Sequence, residues 1–158
     1  MKILIENIAE LLIIRQLRLA TAESCTGGLV SSMLTEVAGS SVWFECGFVT
    51  YSNSAKQSML QVKEQTLQQY GAVSEQVVEE MASGAIRQSA AHISLSISGI
   101  AGPGGGTAEK PVGTVCLGWA REGAYVIAET QYYDGNREQV RLAATKRALQ
   151  RLLELLQT

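Results

Sequence analysis

Ser24 is the residue whose type and surroundings most directly suggest chemistry. It lies in the stretch Thr21-Ala22-Glu23-Ser24-Cys25-Thr26-Gly27-Gly28, where a glycine pair is predicted to open a helix. A serine hydroxyl is a nucleophile for acyl transfer, and unpaired N–H groups at a helix start can hold the developing oxyanion. We therefore interpret Ser24 as a nucleophile served by the N–H groups of Gly27 and Gly28. The alternative interpretation is an ordinary turn serine before a helix.

Lys56 is the predicted base for Ser24. The chain has one histidine, His92, which begins a predicted strand away from other chemical groups and is interpreted as a half-buried structural residue. Lys56 ends the run Tyr51-Ser52-Asn53-Ser54-Ala55-Lys56 and is expected in the first turn of a helix. There the helix dipole and burial both lower its pKa towards that of a general base. Tyr51 is predicted to donate or relay a proton, and a solvated surface lysine is the alternative.

The three cysteines, Cys25, Cys46 and Cys116, are odd in number and show no CxxC spacing. This pattern argues against a disulfide framework and a zinc site, and it predicts a reducing, cytoplasmic compartment. Cys25 is also a rival nucleophile beside Ser24. If the chain is extended there, the two side chains point to opposite faces, so only one of them can face the site.

A glycine-rich loop runs from Ser98 to Thr107. It lacks the Gly-Lys-Ser/Thr ending of a Walker A loop, and its glycine spacing differs from a dinucleotide fingerprint. The loop is therefore either a flexible surface connection or a backbone cradle for a flat ring or a phosphate.

Arg137 and Arg141 lie four residues apart, so a helix places them on one face. Cations at a helix start oppose its dipole, which calls for either an acidic partner, Asp134 or Glu138, or a bound anion. With an anion, the N–H groups of the helix and the arginines would together bind a phosphate.

The composition of the chain limits the classes of function that we expect for it. The 158 residues are 46% hydrophobic and carry a net charge of -2, which predicts one globular domain, 1–158, with a real core. This charge gives no electrostatic reason to expect nucleic acid or an anionic membrane as a partner, and no apolar stretch is long enough to span a bilayer.

Hydrophobic spacing predicts the elements that position these residues. Helices are expected over 3–16, 52–60, 67–70 and 136–156, after a cap at Ser74, and between a cap at Thr26 and an end at Gly39. Strands are expected over 17–22, 44–51, 92–97, 112–120 and 124–133, the last two as a hairpin. The order predicts an α/β fold with three layers, in which helices cover a mixed sheet.

The motifs, in this order, resemble the C-terminal domain of the competence/damage-inducible CinA proteins. The matching stretches cover nearly the whole chain and include AESCTGG, YSNxAK, GIAGPxGG and the turn Gly135-Asn136-Arg137. The additional N-terminal domain of full-length CinA is absent, so the resemblance implies a stand-alone amidohydrolase. The implied reaction converts nicotinamide mononucleotide (NMN) to nicotinate mononucleotide and ammonia in pyridine nucleotide salvage, with no metal or organic cofactor.

The resemblance implies Ser24 as the nucleophile, Lys56 as the base and Tyr51 as the assisting hydroxyl. The predicted substrate-binding residues are Thr26, Gly27, Gly28, Asn53, Ser98, Gly102, Gly104, Gly105, Arg137 and Arg141, with either arginine on the phosphate. Ser98 stands where family members commonly have threonine, which keeps the hydroxyl and loses a methyl group. The alternatives are a catalytically silent nucleotide-binding paralogue and a serine–lysine hydrolase of another small amide.

The C-terminal helix predicts a contact between copies of the chain. Its leucines are spread around much of the circumference, so we expect a homo-oligomer: Leu149, Leu152, Leu153, Leu155 and Leu156. The other expected partner is the small-molecule substrate.

Overall fold

The computed structural model describes residues 1–158, which are organised around one five-stranded mixed sheet. Its strand order is β2-β1-β3-β4-β5. The first three strands are parallel: β1 (Leu19–Glu23), β2 (Phe44–Val49) and β3 (Ile93–Gly99). The last two are antiparallel: β4 (Thr114–Arg121) and β5 (Tyr125–Tyr132). The predicted mixed sheet and the hairpin that ends it are confirmed.

Helices cover both faces of this sheet. One face carries α1 (Lys2–Ile14), α2 (Leu29–Thr35) and α6 (Arg137–Gln157). The other carries α3 (Asn53–Leu60), α4 (Glu64–Tyr70) and α5 (Glu75–Arg87). The predicted three-layer α/β/α architecture is therefore confirmed. None of the helices combines the length and the apolar character that a bilayer-spanning segment needs.

Alternation along β3 gives the two faces different chemistry. Ile93, Leu95 and Ile97 belong to a cluster of 22 buried apolar residues shared with α1, α2 and α6, and we call this side the apolar face. The intervening side chains, Ser94, Ser96 and Ser98, point the other way. We call that side the serine face, and its apolar cluster has 11 buried residues.

Hydrogen bonds hold α5 against the serine face. Ser94 Oγ donates to the Ala82 carbonyl at 2.7 Å, and Ser96 Oγ donates to the Val78 carbonyl at 2.6 Å. The helix lies so close that a Cβ on Gly118 of β4 would lie 2.5 Å from Ser96 Oγ and 2.7 Å from the Val78 carbonyl oxygen. The spacing between α5 and the sheet therefore depends on a glycine and on directional bonds.

Local capping signals predict some helix ends and miss others. Ser74 caps α5 by accepting from the Val77 N–H, as predicted, and Asn136 begins α6 with a capping box. The predicted cap of α2 at Thr26 and its predicted end at Gly39 are wrong. That helix starts after Gly28, whose φ is +96°, and ends at Thr35, while Gly39 precedes a short 3-10 turn. The N–H groups at its start bind a carboxylate from β1, which leaves Thr26 no capping role.

The leucines of α6 serve the core of this chain. Leu149, Leu152 and Leu156 are fully buried, and Leu153 and Leu155 pack against the same apolar cluster. The premise that they present an unpartnered apolar surface is therefore wrong, and the homo-oligomer remains a prediction without that support.

Candidate active site

Three segments that follow parallel strands form one cavity. Ser24 follows β1, Thr50 and Tyr51 follow β2, and the glycine-rich loop follows β3. The chain leaves β1 for one neighbour and returns to the other, and ligands bind at such a switch point, beyond the carboxyl ends of the strands. The cavity has a volume of about 210 Å³ and is lined by Ser24, Cys25, Tyr51, Lys56, Ala72, Val73, Ser98, Gly99, Ala101 and Arg137.

The Lys56 amine contacts the Ser24 hydroxyl inside this cavity. Nζ lies 3.0 Å from Ser24 Oγ, 2.8 Å from the Thr50 carbonyl oxygen and 3.4 Å from that of Tyr51. Ser52 caps α3 by accepting from the Ala55 N–H, so the helix starts here and aims Lys56 inward. Lys56 is 1% exposed, and burial lowers its pKa below the ordinary value of 10.5.

Those three contacts suit a neutral amine. An uncharged Nζ has two hydrogens and one lone pair. The Thr50 and Tyr51 carbonyls can accept the two hydrogens, which turns the lone pair towards the Ser24 hydroxyl. The arrangement therefore prepares Lys56 to take a proton from Ser24.

Cys25 borders the same cavity but packs towards the apolar face. It belongs to the cluster of the apolar face, whereas Ser24 contacts Lys56 on the serine side. Burial raises the pKa of the Cys25 thiol to about 11, so the thiolate needed for nucleophilic attack is scarce near neutral pH.

The N–H groups that are free for an oxyanion differ from the predicted ones. Gly27 donates to the Ser24 carbonyl at 3.1 Å, and Gly28 donates to Glu23 Oε2 at 3.1 Å. The expectation that these two N–H groups are unpaired is therefore wrong, because the tight turn before α2 uses both. The N–H groups of Cys25 and Thr26 donate to no other residue, and they immediately follow the nucleophile.

Glu23 is a buried carboxylate that the motif analysis did not single out. It is 0% exposed and accepts from the N–H groups of Gly28, Val30 and Ser31 and from the Ser31 hydroxyl. An anion therefore already occupies the start of α2 and fixes the turn that carries Ser24. The available signal was a charged residue ending a buried strand, since such a group must find donors.

The two arginines of α6 have different surroundings. Arg141 is half-buried and donates from Nε to the Cys25 carbonyl at 3.0 Å and from NH2 to the Thr26 carbonyl at 2.9 Å. Arg137 is exposed at the cavity edge, with NH1 donating to the Gly102 carbonyl and NH2 to the Tyr51 hydroxyl. The two predicted phosphate ligands are thus distinguished, because the cavity is bordered by Arg137 only.

The structure brings only part of the predicted substrate-binding set to the cavity. Ser98 and Arg137 line it, and Ser98 donates to the Ala72 carbonyl. The N–H groups of Ala101, in the lining, and of the adjoining Gly102 have no acceptor. The other predicted residues near the site are outside the lining: Thr26, Gly27, Gly28, Gly102 and Arg141. Asn53, Gly104 and Gly105 do not line it, because Asn53 starts α3 at the exposed surface and the two glycines are exposed beyond Pro103.

A second cavity of about 350 Å³ lies between the start of α5 and the β4–β5 hairpin. Its polar side chains already have partners: Thr130 donates to the Glu75 carboxylate, and Lys110 donates to the backbone carbonyl of Tyr70. It contains no nucleophile paired with a base. No group of three or more His, Cys, Asp or Glu side chains lies close enough together to hold a metal ion. The smaller cavity is therefore the candidate active site.

Comparison with known proteins gives consistent matches over the whole chain. The family profile described as the CinA C-terminal domain matches residues 1–156. The "Nicotinamide-nucleotide amidohydrolase PncC" of Enterobacter agglomerans is 57% identical over 132 residues, or 84% of this chain and 80% of that protein. The protein of the same name from Escherichia coli strain K12 is 52% identical over 147 residues, or 93% and 89%.

A solved structure has the same fold. It is the competence damage-inducible protein A (ComA) from Klebsiella pneumoniae subsp. pneumoniae MGH 78578, which superposes with a TM-score of 0.94 at 39% sequence identity. The match covers 98% of this chain and 96% of that one.

Proposed function

The chain belongs to the CinA C-terminal domain family, and on that premise we propose that it hydrolyses the carboxamide of NMN to nicotinate mononucleotide and ammonia. The observation that carries the proposal is the buried Lys56 Nζ, which lies 3.0 Å from Ser24 Oγ while two carbonyls accept its hydrogens. The names of the amidohydrolase relatives support the choice of substrate.

The first half of the reaction releases ammonia. Ser24 Oγ attacks the carboxamide carbon while its proton passes to Lys56 Nζ. The tetrahedral intermediate then expels the amide nitrogen, which takes a proton from the Lys56 ammonium and leaves as ammonia. An ester between Ser24 and the nicotinate carbonyl remains, and Lys56 is neutral again.

The second half uses water. Lys56 takes a proton from a water molecule as that water attacks the ester carbon. The Ser24–acyl bond then breaks, and the proton returns from Lys56 to Ser24 Oγ. The products of the cycle are nicotinate mononucleotide and a regenerated serine. Such a step would serve the salvage of pyridine nucleotides.

Other groups at the cavity stabilise charge and hold the nucleotide. The free N–H groups of Cys25 and Thr26 are suited to the oxyanion, because they adjoin the attacking atom and have no other acceptor. Arg137 and the free N–H groups of Ala101 and Gly102 are suited to the phosphate. The Tyr51 hydroxyl accepts from Arg137, so its own O–H remains available for a hydrogen bond to the leaving nitrogen while Lys56 supplies the proton.

The test is ammonia release from NMN by the purified protein, beside Ser24→Ala and Lys56→Met. Both variants should lose activity by about 10⁴-fold or more, because nucleophile and base act as a unit. Ser58→Ala and Lys63→Met are matched controls, since both positions are exposed and outside the cavity.

Three outcomes would overturn the proposal. Retained activity in Ser24→Ala would exclude the serine mechanism. A wild type that binds NMN in calorimetry without forming nicotinate mononucleotide would identify the silent nucleotide-binding alternative. Preference for another small amide over NMN would identify the other alternative, a serine–lysine hydrolase of a different substrate.

A further inference from the structure

Arg141 connects the last helix to the segment that follows the nucleophile. Its Nε and NH2 donate to two consecutive carbonyls, those of Cys25 and Thr26, across 116 and 115 residues of sequence. A guanidinium presents its N–H groups in a rigid planar fork, so the two bonds together fix both carbonyls. Arg141 is not among the residues that line the cavity.

Peptide geometry carries this constraint to the free N–H groups. The Cys25–Thr26 bond is trans, because the one cis bond of the chain is Gly102–Pro103. In a trans peptide the N–H points opposite to the carbonyl of the same plane. With the Cys25 carbonyl held by Arg141, the Thr26 N–H is directed away from the guanidinium.

The second bond acts on the neighbouring N–H. Holding the Thr26 carbonyl fixes the Thr26–Gly27 peptide, whose N–H donates to the Ser24 carbonyl. That carbonyl shares its plane with the Cys25 N–H, which is thereby fixed as well. Both acceptor-free N–H groups beside Ser24 thus take their orientation from hydrogen bonds that begin at Arg141.

We infer that Arg141 is a positioning residue that orients the Cys25 and Thr26 N–H groups as the oxyanion donors, and that it does not bind the phosphate. This inference rests on the proposed function. Donors aimed in advance at developing charge stabilise a transition state without reorganisation, so their orientation affects kcat more than substrate binding.

The kinetic experiment compares Arg141→Met with Arg137→Met on NMN and on nicotinamide riboside, which lacks the phosphate. Arg141→Met should lower kcat by about 100-fold for both substrates and change KM for NMN by no more than about twofold. Arg137→Met should instead raise KM for NMN by a larger factor than KM for the riboside, because only NMN carries the phosphate. Lys146→Met is the matched control, since it removes an exposed cation from the same helix.

Arg141→Lys keeps the charge and the aliphatic stem but cannot present the two-armed fork. It should still lose at least about tenfold in kcat, which keeps the inference testable if the methionine variant fails to fold. A wild-type kcat in Arg141→Lys, or a loss in Arg141→Met confined to the KM for NMN, would overturn the inference.

A measurement without substrate separates this inference from the proposed function. The amide chemical shifts of Cys25 and Thr26 in the substrate-free protein should change in Arg141→Met, while those of α5 stay in place. If the wild type released no ammonia from NMN, the proposed function would fail, and these shifts would still decide the positioning role. Unchanged shifts at both amides would reject it.

Discussion

The two faces of the sheet are assembled by different forces. The apolar face buries 22 residues against α1, α2 and α6, and its strands contribute large side chains such as Leu117 and Trp119. The serine face has 11 buried apolar residues and relies on hydroxyl-to-carbonyl bonds at Ser94 and Ser96. Area burial stabilises the first, whereas directional bonds and close approach fix the second.

This difference matters because the site takes a different contribution from each side. Ser24 and Lys56 meet on the serine side, where the distance between α5 and the sheet also places Ala72 and Val73 in the cavity wall. Glu23 and Arg141 fix the backbone after Ser24 from the apolar side. We therefore expect changes of the apolar side chains on the apolar face to affect mainly stability. Changes on the serine face, or at Glu23 and Arg141, should affect the geometry of the site.

The largest expected effect comes from Glu23→Gln, because Glu23 is the buried charged group on the otherwise apolar side. A glutamine would turn donor hydrogens towards donors of Ser31 and leave a buried N–H unpaired. We expect a loss of about 3 kcal/mol in the free energy of unfolding, measured by urea denaturation.

Glu36→Gln is the control for this change, since Glu36 is exposed at the other end of α2. It should stay within about 0.5 kcal/mol of the wild type. Equal stabilities of the two variants would show that the Glu23 hydrogen bonds contribute nothing to the fold.

Adjacent residues of β4 compare the two faces directly. Leu117→Ala leaves a cavity on the apolar face and should cost about 3 kcal/mol with kcat unchanged. Gly118→Ala forces a Cβ towards the Val78 carbonyl oxygen, 2.7 Å away, and should cost about 2 kcal/mol. Gly118→Ala should also lower kcat, because α5 must move and carry the cavity wall with it. An unchanged kcat in Gly118→Ala would show that the two faces do not differ in their effect on catalysis.

Each face contributes one buried titratable group next to the nucleophile, Lys56 on the serine side and Cys25 on the apolar side. Burial lowers the pKa of Lys56 and raises that of Cys25 to about 11, so both shifts are towards the neutral form. As a base Lys56 must be neutral, so kcat/KM should fall about tenfold, or 1.4 kcal/mol, for each pH unit below its folded-state pKa. Above that pKa the rate should level off.

The measurement is the pH profile of ammonia release from NMN. Its ascending limb should lie below the ordinary lysine value of 10.5 and persist in Cys25→Ala. Stability should also rise with pH between the folded-state pKa and the ordinary one, because the unfolded chain binds that proton more tightly. A limb that disappears in Cys25→Ala would assign the titration to the thiol.

The smallest expected effect is that of Ser96→Ala, which removes one hydroxyl-to-carbonyl bond from the serine face. It should cost about 1 kcal/mol in thermal or urea unfolding, similar to Ile97→Val on the apolar face. The two variants should differ in kcat, which only Ser96→Ala is expected to lower. Identical kcat values would remove the functional distinction between the faces.

Sequence patterns predicted the structural features that depend on interactions between residues close together in the chain. The Ser74 cap, the start of α6 near Asn136, the alternating strands and the hairpin depend on residues near each other in the chain, so local sequence is enough to predict them. The cap of α2 was mispredicted because Thr26 satisfies the local rule, while the groups at the helix start bind Glu23 after a tight glycine turn. Which acceptor the N–H groups at the start of α2 bind depends on how β1 meets that turn.

The pairing of Ser24 with Lys56 was proposed from residue chemistry, and its 3.0 Å contact required the parallel pairing of β1 and β2. Nothing in the spacing of Arg137 and Arg141 separates their surroundings, because the carbonyls that Arg141 binds lie far away in sequence. The contacts of the serine face could likewise not be predicted, since alternating serines do not reveal which helix carbonyls they will contact.

The long-range contact of Arg141 has a consequence for protein synthesis. The segments carrying Ser24 and Lys56 leave the ribosome early, whereas Arg141 follows 116 residues after Cys25. Non-local contacts form late, because the entropy cost of closing a long loop comes before the contact adds any stability. A nascent chain can therefore hold serine and lysine together without oriented N–H donors, and the nucleophile should gain its full reactivity only after α6 has docked.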